Sequence, residues 1–329
     1  MSCYPPTVVV SWASAQAGSA GVGAAMTGDK RDICILPPRP RLESLARDRI
    51  RVAAPAKLNL SLLVGPVRPD GFHPIDSIVA KVTLYDEVEL CRRDDGRTNF
   101  TCRGPDCGPE DSNLACRAAK LLQRQAGAEG ADISLKKSIP PGAGLGGGSS
   151  DAAAALIGLN ELWQLALADA ELAELGAELG SDVPLFFGPP CCRATGRGEI
   201  IRPTAVHDFV AILILPESPC ATAAVYKAYD PQAAEIGEQL DAEIIARQPP
   251  SSWRGLLRND LASAARRVNG ELDAAWRRLE RAVPLPVCMT GSGSAMFMIC
   301  DDADEASSVW GSLGPDLRGR SVIVRRSPW

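Results

Sequence analysis

Residues 140–150 read PPGAGLGGGSS, with glycines at 142, 144, 146, 147 and 148, and the helix-forming run DAAAALIGLN follows at once. Glycines this dense let successive main-chain N–H groups converge on one point without Cβ obstruction. A helix starting near Ser150 aims the positive end of its dipole at the same point. The hydroxyls of Ser149 and Ser150 add oxygens suited to a phosphate or to Mg2+. The expectation is an anion-holding loop on a helix N-terminus rather than a plain connector.

Two familiar nucleotide motifs can be tested on spacing. Gly142, Gly144 and Gly147 fit G-x-G-x-x-G. That fingerprint, however, needs a second strand ending in an acid about 20 residues further on. Here a helix, a short loop and another helix follow, and Glu161 and Asp169 lie on or before helices. Walker A fails as well, because Gly147-Gly148-Ser149 stands where that motif requires Gly-Lys-Ser/Thr. Neither a dinucleotide fold nor a P-loop accounts for the stretch.

The partner classes are narrowed by charge. A net charge of −5 leaves no basic footprint for nucleic acid or an anionic membrane. No apolar run approaches the ~20 residues that span a bilayer. A small anionic molecule, held by local N–H groups and single cations, remains. Only seven of the 35 basic residues are lysines, so a lysine inside an apolar run stands out. The eleven cysteines include no C-x-x-C, and there are two histidines. They read as reduced thiols that pack like small hydrophobes, Cys191 and Cys192 among them, and His207 reads as structural.

The 329 residues suffice for two domains. Residues 1–48, Ala/Gly/Ser-rich and then proline-rich, read as a disordered extension; a start at Met26 or a targeting segment are the other readings. Residues 49–205 form a first domain. It holds a strand over 49–65, two strand-like runs within 75–90, a strand over 132–140, and a helix over 113–126 capped by Ser112. Helices over 150–165 and 170–180 follow, the second capped by Asp169, and VPLFFG (183–188) returns to extended structure. Residues 206–329 form a second domain, with a buried strand at FVAILILP and helices near 222–229, 236–246, 259–268, 270–282 and 303–313. Two short strands flank TGSGS (290–294), and RSVIVRR closes the chain. Such a mixture without internal repeats is α+β.

On residues alone, Asp182 reads as a capping acid or a catalytic one. Lys57 reads as a snorkelling lysine or a functional one, His73 as a loop histidine, and TGSGS as a hairpin turn. A resemblance adds to these readings. PPGAGLGGGSSDAAA resembles the phosphate-binding motif of the GHMP kinases, the family of galactokinase, homoserine kinase and mevalonate kinase. APAKLNLSLLVGPVRPDGFHPIDSIV is similar to the N-terminal signature of one branch, and LGSDVPLFFG to its middle motif. ATGRGE, NDL and MTGSGSAMF follow in the family's order. The match runs from about residue 50 to 326. It implies a two-domain GHMP kinase fold, with a ribosomal S5 domain 2-like N-terminal domain and a ferredoxin-like C-terminal domain.

That resemblance implies ATP and Mg2+ as cofactors. The implied substrate is a cytidine diphosphate-linked methylerythritol, phosphorylated on its 2-hydroxyl on a route to isoprenoid precursors. Lys57 and Asp182 would be the catalytic pair, with Asp182 as base. ATP would be held by Pro140, Pro141, Gly142, Ala143, Gly144, Leu145, Gly146, Gly147, Gly148, Ser149 and Ser150, with Ser149 a candidate metal ligand. Asn59, Phe72, His73, Thr222 and Tyr226 would contact the substrate, and Gly291, Ser292 and Gly293 would form a secondary loop beside the phosphates. Phe72 stands where the family often has Tyr, and Ala221-Thr222 where it often has Ser-Thr. A non-catalytic ATP-binding sensor and a sibling small-molecule kinase are the alternatives. A small-molecule partner, a monomer or homodimer, and a bacterial cytoplasm rather than a plastid stroma complete the expectation.

Overall fold

The alternating stretch before RPDG becomes one long strand and the two strand-like runs after it merge into another, and the first of these strands carries Lys57 and Asn59. The computed structural model describes residues 35–39, 41–104, 108–215, 217–230 and 242–329, all within one unit, Ile33–Trp329. The extension up to residue 34, and the start of the helix expected at 236–246, lie outside the described residues.

In chain order the first half contains β1 (Leu42–Ala46), β2 (Arg49–Val64), β3 (Ile75–Arg93), β4 (Thr98–Arg103), α1 (Leu114–Ala126), β5 (Gly130–Lys136), α2 (Gly147–Leu162), α3 (Asp169–Ala177), β6 (Cys191–Gly196) and β7 (Ile200–Pro203). The second half contains β8 (Val210–Ile214), α4 (Thr222–Ala228), α5 (Ala242–Arg247), β9 (Arg258–Asn259), α6 (Ala262–Val268) and α7 (Gly270–Ala282). It ends with β10 (Cys288–Met289), β11 (Met296–Cys300), α8 (Ala303–Ser312), α9 (Pro315–Gly319) and β12 (Ser321–Arg325).

One sheet of eight strands runs β1-β2-β3-β5-β4, with β6 and β7 attached beside the first half of β3 and β9 beside the end of β2. A second sheet of four runs β10-β11-β8-β12. Helices α1 and α2 cover one face of the large sheet through Ile50, Val52, Val88 and Leu90. Its other face meets the small sheet, Ala56, Leu58 and Leu60 packing with Ala211, Leu213, Phe297 and Ile299. The alternate residues of β8, Val210, Ile212 and Ile214, face α4, α6 and α7 instead. That is period-2 strand geometry with both faces covered.

The faces of β2 exchange partway along. Ile50, Val52 and Ala54 face the helices, whereas Ala56, Leu58 and Leu60 face the second sheet. Between them the pairing with β3 shifts register, Pro55 opposing Tyr85 and Ala56 opposing Val82. An irregularity of this kind re-aims the side chains beyond it. It gives Lys57 and Asn59 to the loop side of the sheet.

Several expectations are corrected. Pairing starts with β1 and with a bridge from Ile35 to Ile323, ahead of the expected start at Arg49. Asn113, not Ser112, caps α1: its carbonyl oxygen accepts from the Ala115 N–H at 3.0 Å, while the Ser112 hydroxyl turns back to Pro109 O. Asp169 is the first residue of α3 rather than its cap; there the Glu171 carboxylate accepts from the Ala168 N–H. Residues Val183–Phe186 form a 3-10 turn, not extended chain, because Pro184 suits a first helical turn. Cys102, near the end of edge strand β4, is disulfide-bonded, so the thiols are not uniformly reduced. Composition averages over cysteines and says nothing of a single one at the edge of a sheet.

Candidate active site

The glycine loop is built as its sequence requires. Gly142, Gly144 and Gly146 all have positive φ, so the loop zigzags in a way side chains resist. Gly146 occupies the N-cap position of α2 and leaves the first N–H groups of that helix uncapped by any side chain. Gly148 is exposed and Ser149 half-buried, while Ser150 and Asp151 are buried. The Ser150 hydroxyl and one oxygen of Asp151 have no hydrogen-bond partner.

A second loop, Thr290–Ser294, interlocks with the first. The Ala295 N–H donates to Ala143 O at 3.0 Å, and a Cβ on Gly144 would sit 2.2 Å from Thr290 O. Only glycine permits that approach. Asn259 holds this loop from behind, its amide donating to Met289 O at 2.7 Å and Gly291 O at 2.8 Å.

Lys57 lies under the junction of the two loops. Its N–H donates to Leu145 O at 2.9 Å, and Cβ atoms on Gly146 or Gly291 would crowd its side chain. Its ammonium donates to Asn59 Oδ1 at 2.5 Å. Burial lowers the Lys57 pKa below the ordinary lysine value, and the charge of Asp182 partly restores it. Asp182 begins the 3-10 turn, yet its side chain makes no capping bond there. Its charge reaches Lys57 on one side and Tyr226 on the other. Burial, aided by that charge and by Tyr229, raises the Tyr226 phenol.

Asn59 is committed within the protein. Its Oδ1 also accepts from the Gly291 N–H at 2.9 Å and faces the Thr290 hydroxyl at 3.2 Å. Its Nδ2 donates to Ser77 Oγ at 2.7 Å. As placed, it aligns Lys57 with the second loop. Thr222 is engaged too, its hydroxyl 2.8 Å from that of Ser292, which ties the start of α4 to the same loop.

Two aromatic groups stand apart. The His73 ring, whose Nδ1 lies 2.7 Å from Gly65 O, sits 5.5 Å from Tyr226 and 5.7 Å from Tyr229. Phe72 is exposed instead, with the Arg197 guanidinium 3.9 Å from its ring centroid and Arg197 paired to Asp70 at 3.0 Å. The structure therefore joins Lys57, Asn59, Asp182 and both glycine loops, and brings His73 to Tyr226. It leaves Phe72 on the rim.

Beneath α2 lies a group that the sequence reading missed. Lys137 is paired with Asp86 and, at 2.7 Å, with Asp151, all three buried. Asp86 also accepts from the N–H groups of Ser138 and Ile139, so it fixes the chain entering the loop. Burial and the neighbouring Asp86 raise Asp151 well above the usual carboxylate range. Burial alone would lower Lys137, but the two carboxylates outweigh it and its pKa is raised. No short-range spacing could have revealed a pairing across 51 residues.

Comparison with known proteins fits this geometry. Residues 113–188 match the GHMP kinases N terminal domain, and 242–316 match the GHMP kinases C terminal domain. The chain is 39% identical over 269 residues to the 4-diphosphocytidyl-2-C-methyl-D-erythritol kinase of Bacillus pumilus, covering 80% of this chain and 93% of that protein. It is 38% identical to that of Ralstonia nicotianae, covering 81% and 91%. A crystal structure of 4-(cytidine 5'-diphospho)-2C-methyl-D-erythritol kinase superposes with a TM-score of 0.69 at 34% identity, over 84% of this chain and 99% of that one. L. major mevalonate kinase, at 14% identity and a TM-score of 0.65, shares the fold alone. The α+β architecture is thus the two-domain GHMP kinase fold, and the chain belongs to the 4-diphosphocytidyl-2-C-methyl-D-erythritol kinase family.

Proposed function

We propose that this protein transfers the γ-phosphoryl group of ATP to the 2-hydroxyl of 4-diphosphocytidyl-2-C-methyl-D-erythritol, on the route to isoprenoid precursors. The observation that carries the reading is the charge of Asp182 acting on buried Lys57 beside the uncapped N-terminus of α2. Phosphoryl transfer asks a protein chiefly to position its reactants and to balance charge.

Each part has a task in that scheme. Main-chain N–H groups within residues 142–149 and the α2 dipole hold the ATP phosphates. Mg2+, bound with the nucleotide, would neutralise phosphate charge, and Ser149 and Ser150 are the side chains placed to hold it; the unpartnered Ser150 hydroxyl fits that role. Asp182 accepts the proton of the substrate hydroxyl as it attacks. The Lys57 ammonium balances the charge of that carboxylate and steadies the hydroxyl. Asn59 holds Lys57 at the correct height, and Gly291–Gly293 close over the phosphates. His73 and Tyr226 form the cytosine wall. Phe72 would join them by leaving Arg197 or by stacking with its free face. No described helix is long and apolar enough to cross a membrane. We place the enzyme in a bacterial cytoplasm.

The test is ATP consumption by the purified protein with Mg2+, offering the cytidine compound beside mevalonate and homoserine. Turnover with the cytidine compound only is expected, and Asp182→Asn should lower kcat by about 10²–10⁴-fold, the usual worth of a general base. ATP binding without turnover on any of the three would instead make the protein a sensor.

A further inference from the structure

Lys81 is the cross-strand partner of Lys57, on β3 opposite β2, and is equally buried. Its ammonium meets main-chain oxygens: it donates to Gly188 O at 2.7 Å and to Phe186 O at 3.4 Å. Its own N–H donates to Pro190 O at 2.8 Å. Phe186 is the last residue of the 3-10 turn that Asp182 begins, and Gly188 and Pro190 lie just past it. That turn is four residues long with no side-chain cap; Val183, Leu185, Phe186 and Phe187 pack it into the core, and the Lys81 ammonium meets the carbonyls at its far end. A cation against the last carbonyls of a helical turn completes the dipole and satisfies orphan acceptors.

We infer that Lys81 is a positioning residue for the reaction: by gripping the carbonyls of Phe186 and Gly188 it holds the turn that carries Asp182, and only its charged form holds it fully. The inference rests on the reading of Asp182 as the base. An ammonium presents three donors and a full charge, whereas the neutral amine offers two weaker donors. Burial, with the charge of Arg41 added, lowers Lys81 to about 8, so the change of state falls within reach of ordinary assays. The other ionisable groups facing it are Asp169 of α3, which pairs with Arg41 at 3.2 Å, and Cys191 and Cys192 of β6. Burial raises both thiols, Cys192 to about 12, so neither adds a charge in this range.

The experiment is kcat and KM against pH for the wild type, Lys81→Met, Lys81→Arg, Asp182→Asn and the Lys81→Met/Asp182→Asn double variant. Loss of the grip displaces the base without removing a substrate contact. Lys81→Met should therefore lower kcat by about 10–100-fold, with KM for either substrate within about twofold. In the wild type kcat should decline above about pH 8, and in Lys81→Met that decline should vanish. Arginine keeps its charge at every accessible pH. Lys81→Arg should thus recover most of kcat and move the decline upward; this variant also serves if Lys81→Met does not fold. In the Asp182→Asn background Lys81→Met should cost little more, because both act through one carboxylate.

Wild-type kcat in Lys81→Met overturns the inference, as does an alkaline decline that stays put in Lys81→Arg and so belongs to Lys57. A full, additive loss on top of Asp182→Asn also overturns it. Wild-type turnover in Asp182→Asn would instead sink the reading of the base, while a dead Asp182→Asn beside an unimpaired Lys81→Met sinks only the role of Lys81.

Discussion

Two buried lysines flank the glycine loop and are treated in opposite ways. Under α2, Lys137 has two carboxylates, Asp86 and Asp151, and keeps its charge against burial. Across the sheet, Lys81 has only carbonyls, and burial brings it down to about 8. The first arrangement is a fixed foundation for the loop that would hold ATP. The second is a support whose strength depends on pH. Buried charge of the same chemical kind can thus be permanent or conditional, depending on whether a counter-charge or a dipole receives it.

That contrast can be broken most severely at Lys137. Removing the ammonium from between two buried carboxylates leaves uncompensated charge, and Lys137→Met should cost about 3–5 kcal/mol in urea unfolding. A cost below about 1 kcal/mol would mean that the site is not a fixed charge cluster. Next comes the pH dependence of stability at Lys81. Above pH 10.5 the residue is neutral folded or unfolded; between 10.5 and about 8 the unfolded chain alone binds the proton; below 8 both do. The folded state therefore loses about 3 kcal/mol as pH falls through that window, and methionine has no such loss. Wild type should gain on Lys81→Met by about 3 kcal/mol between pH 8 and 10.5, and a flat difference would refute the lowered value. The smallest effect is expected at Asp151. Asp151→Asn keeps an acceptor for Lys137 and leaves one carboxylate for one ammonium, so stability should change by about 1 kcal/mol or less. A larger loss would show that both acids carry charge beneath the loop.

The sequence reading reached unevenly across this site. The geometry of the glycine loop is legible because it is local: convergent N–H groups need glycines next to one another, and they are adjacent in the chain. Lys57 and Asn59 were legible as neighbours on one strand, two residues apart. The commitment of Asn59 to Gly291 was not, because it joins residues 232 apart. At Val183–Phe186 the apolar content outweighs Pro184 as a sequence signal, so the helical setting of Asp182 shows only in the structure. The grip of Lys81 was hidden for the same reason, because a lysine in an apolar run does not announce which carbonyls it will meet. Phe72 was read as a stacking residue from the family's pattern, and Arg197 on its ring is a contact that no motif records.

Asn59 joins the start of the chain to its end, receiving bonds from Lys57 and from the Gly291 loop at once. This has a kinetic meaning. The long antiparallel pairing of β2 with β3 can form from a stretch of 45 residues, Arg49–Arg93, but the reactive centre waits for residues near 290 to arrive. Contacts of such sequence separation are slow to close. In a refolding experiment sheet signal should therefore return first, and catalytic competence should appear only with the last step of assembly. On a ribosome, a chain still lacking its final 40 residues would hold every strand of the large sheet, but neither the second sheet nor a working enzyme.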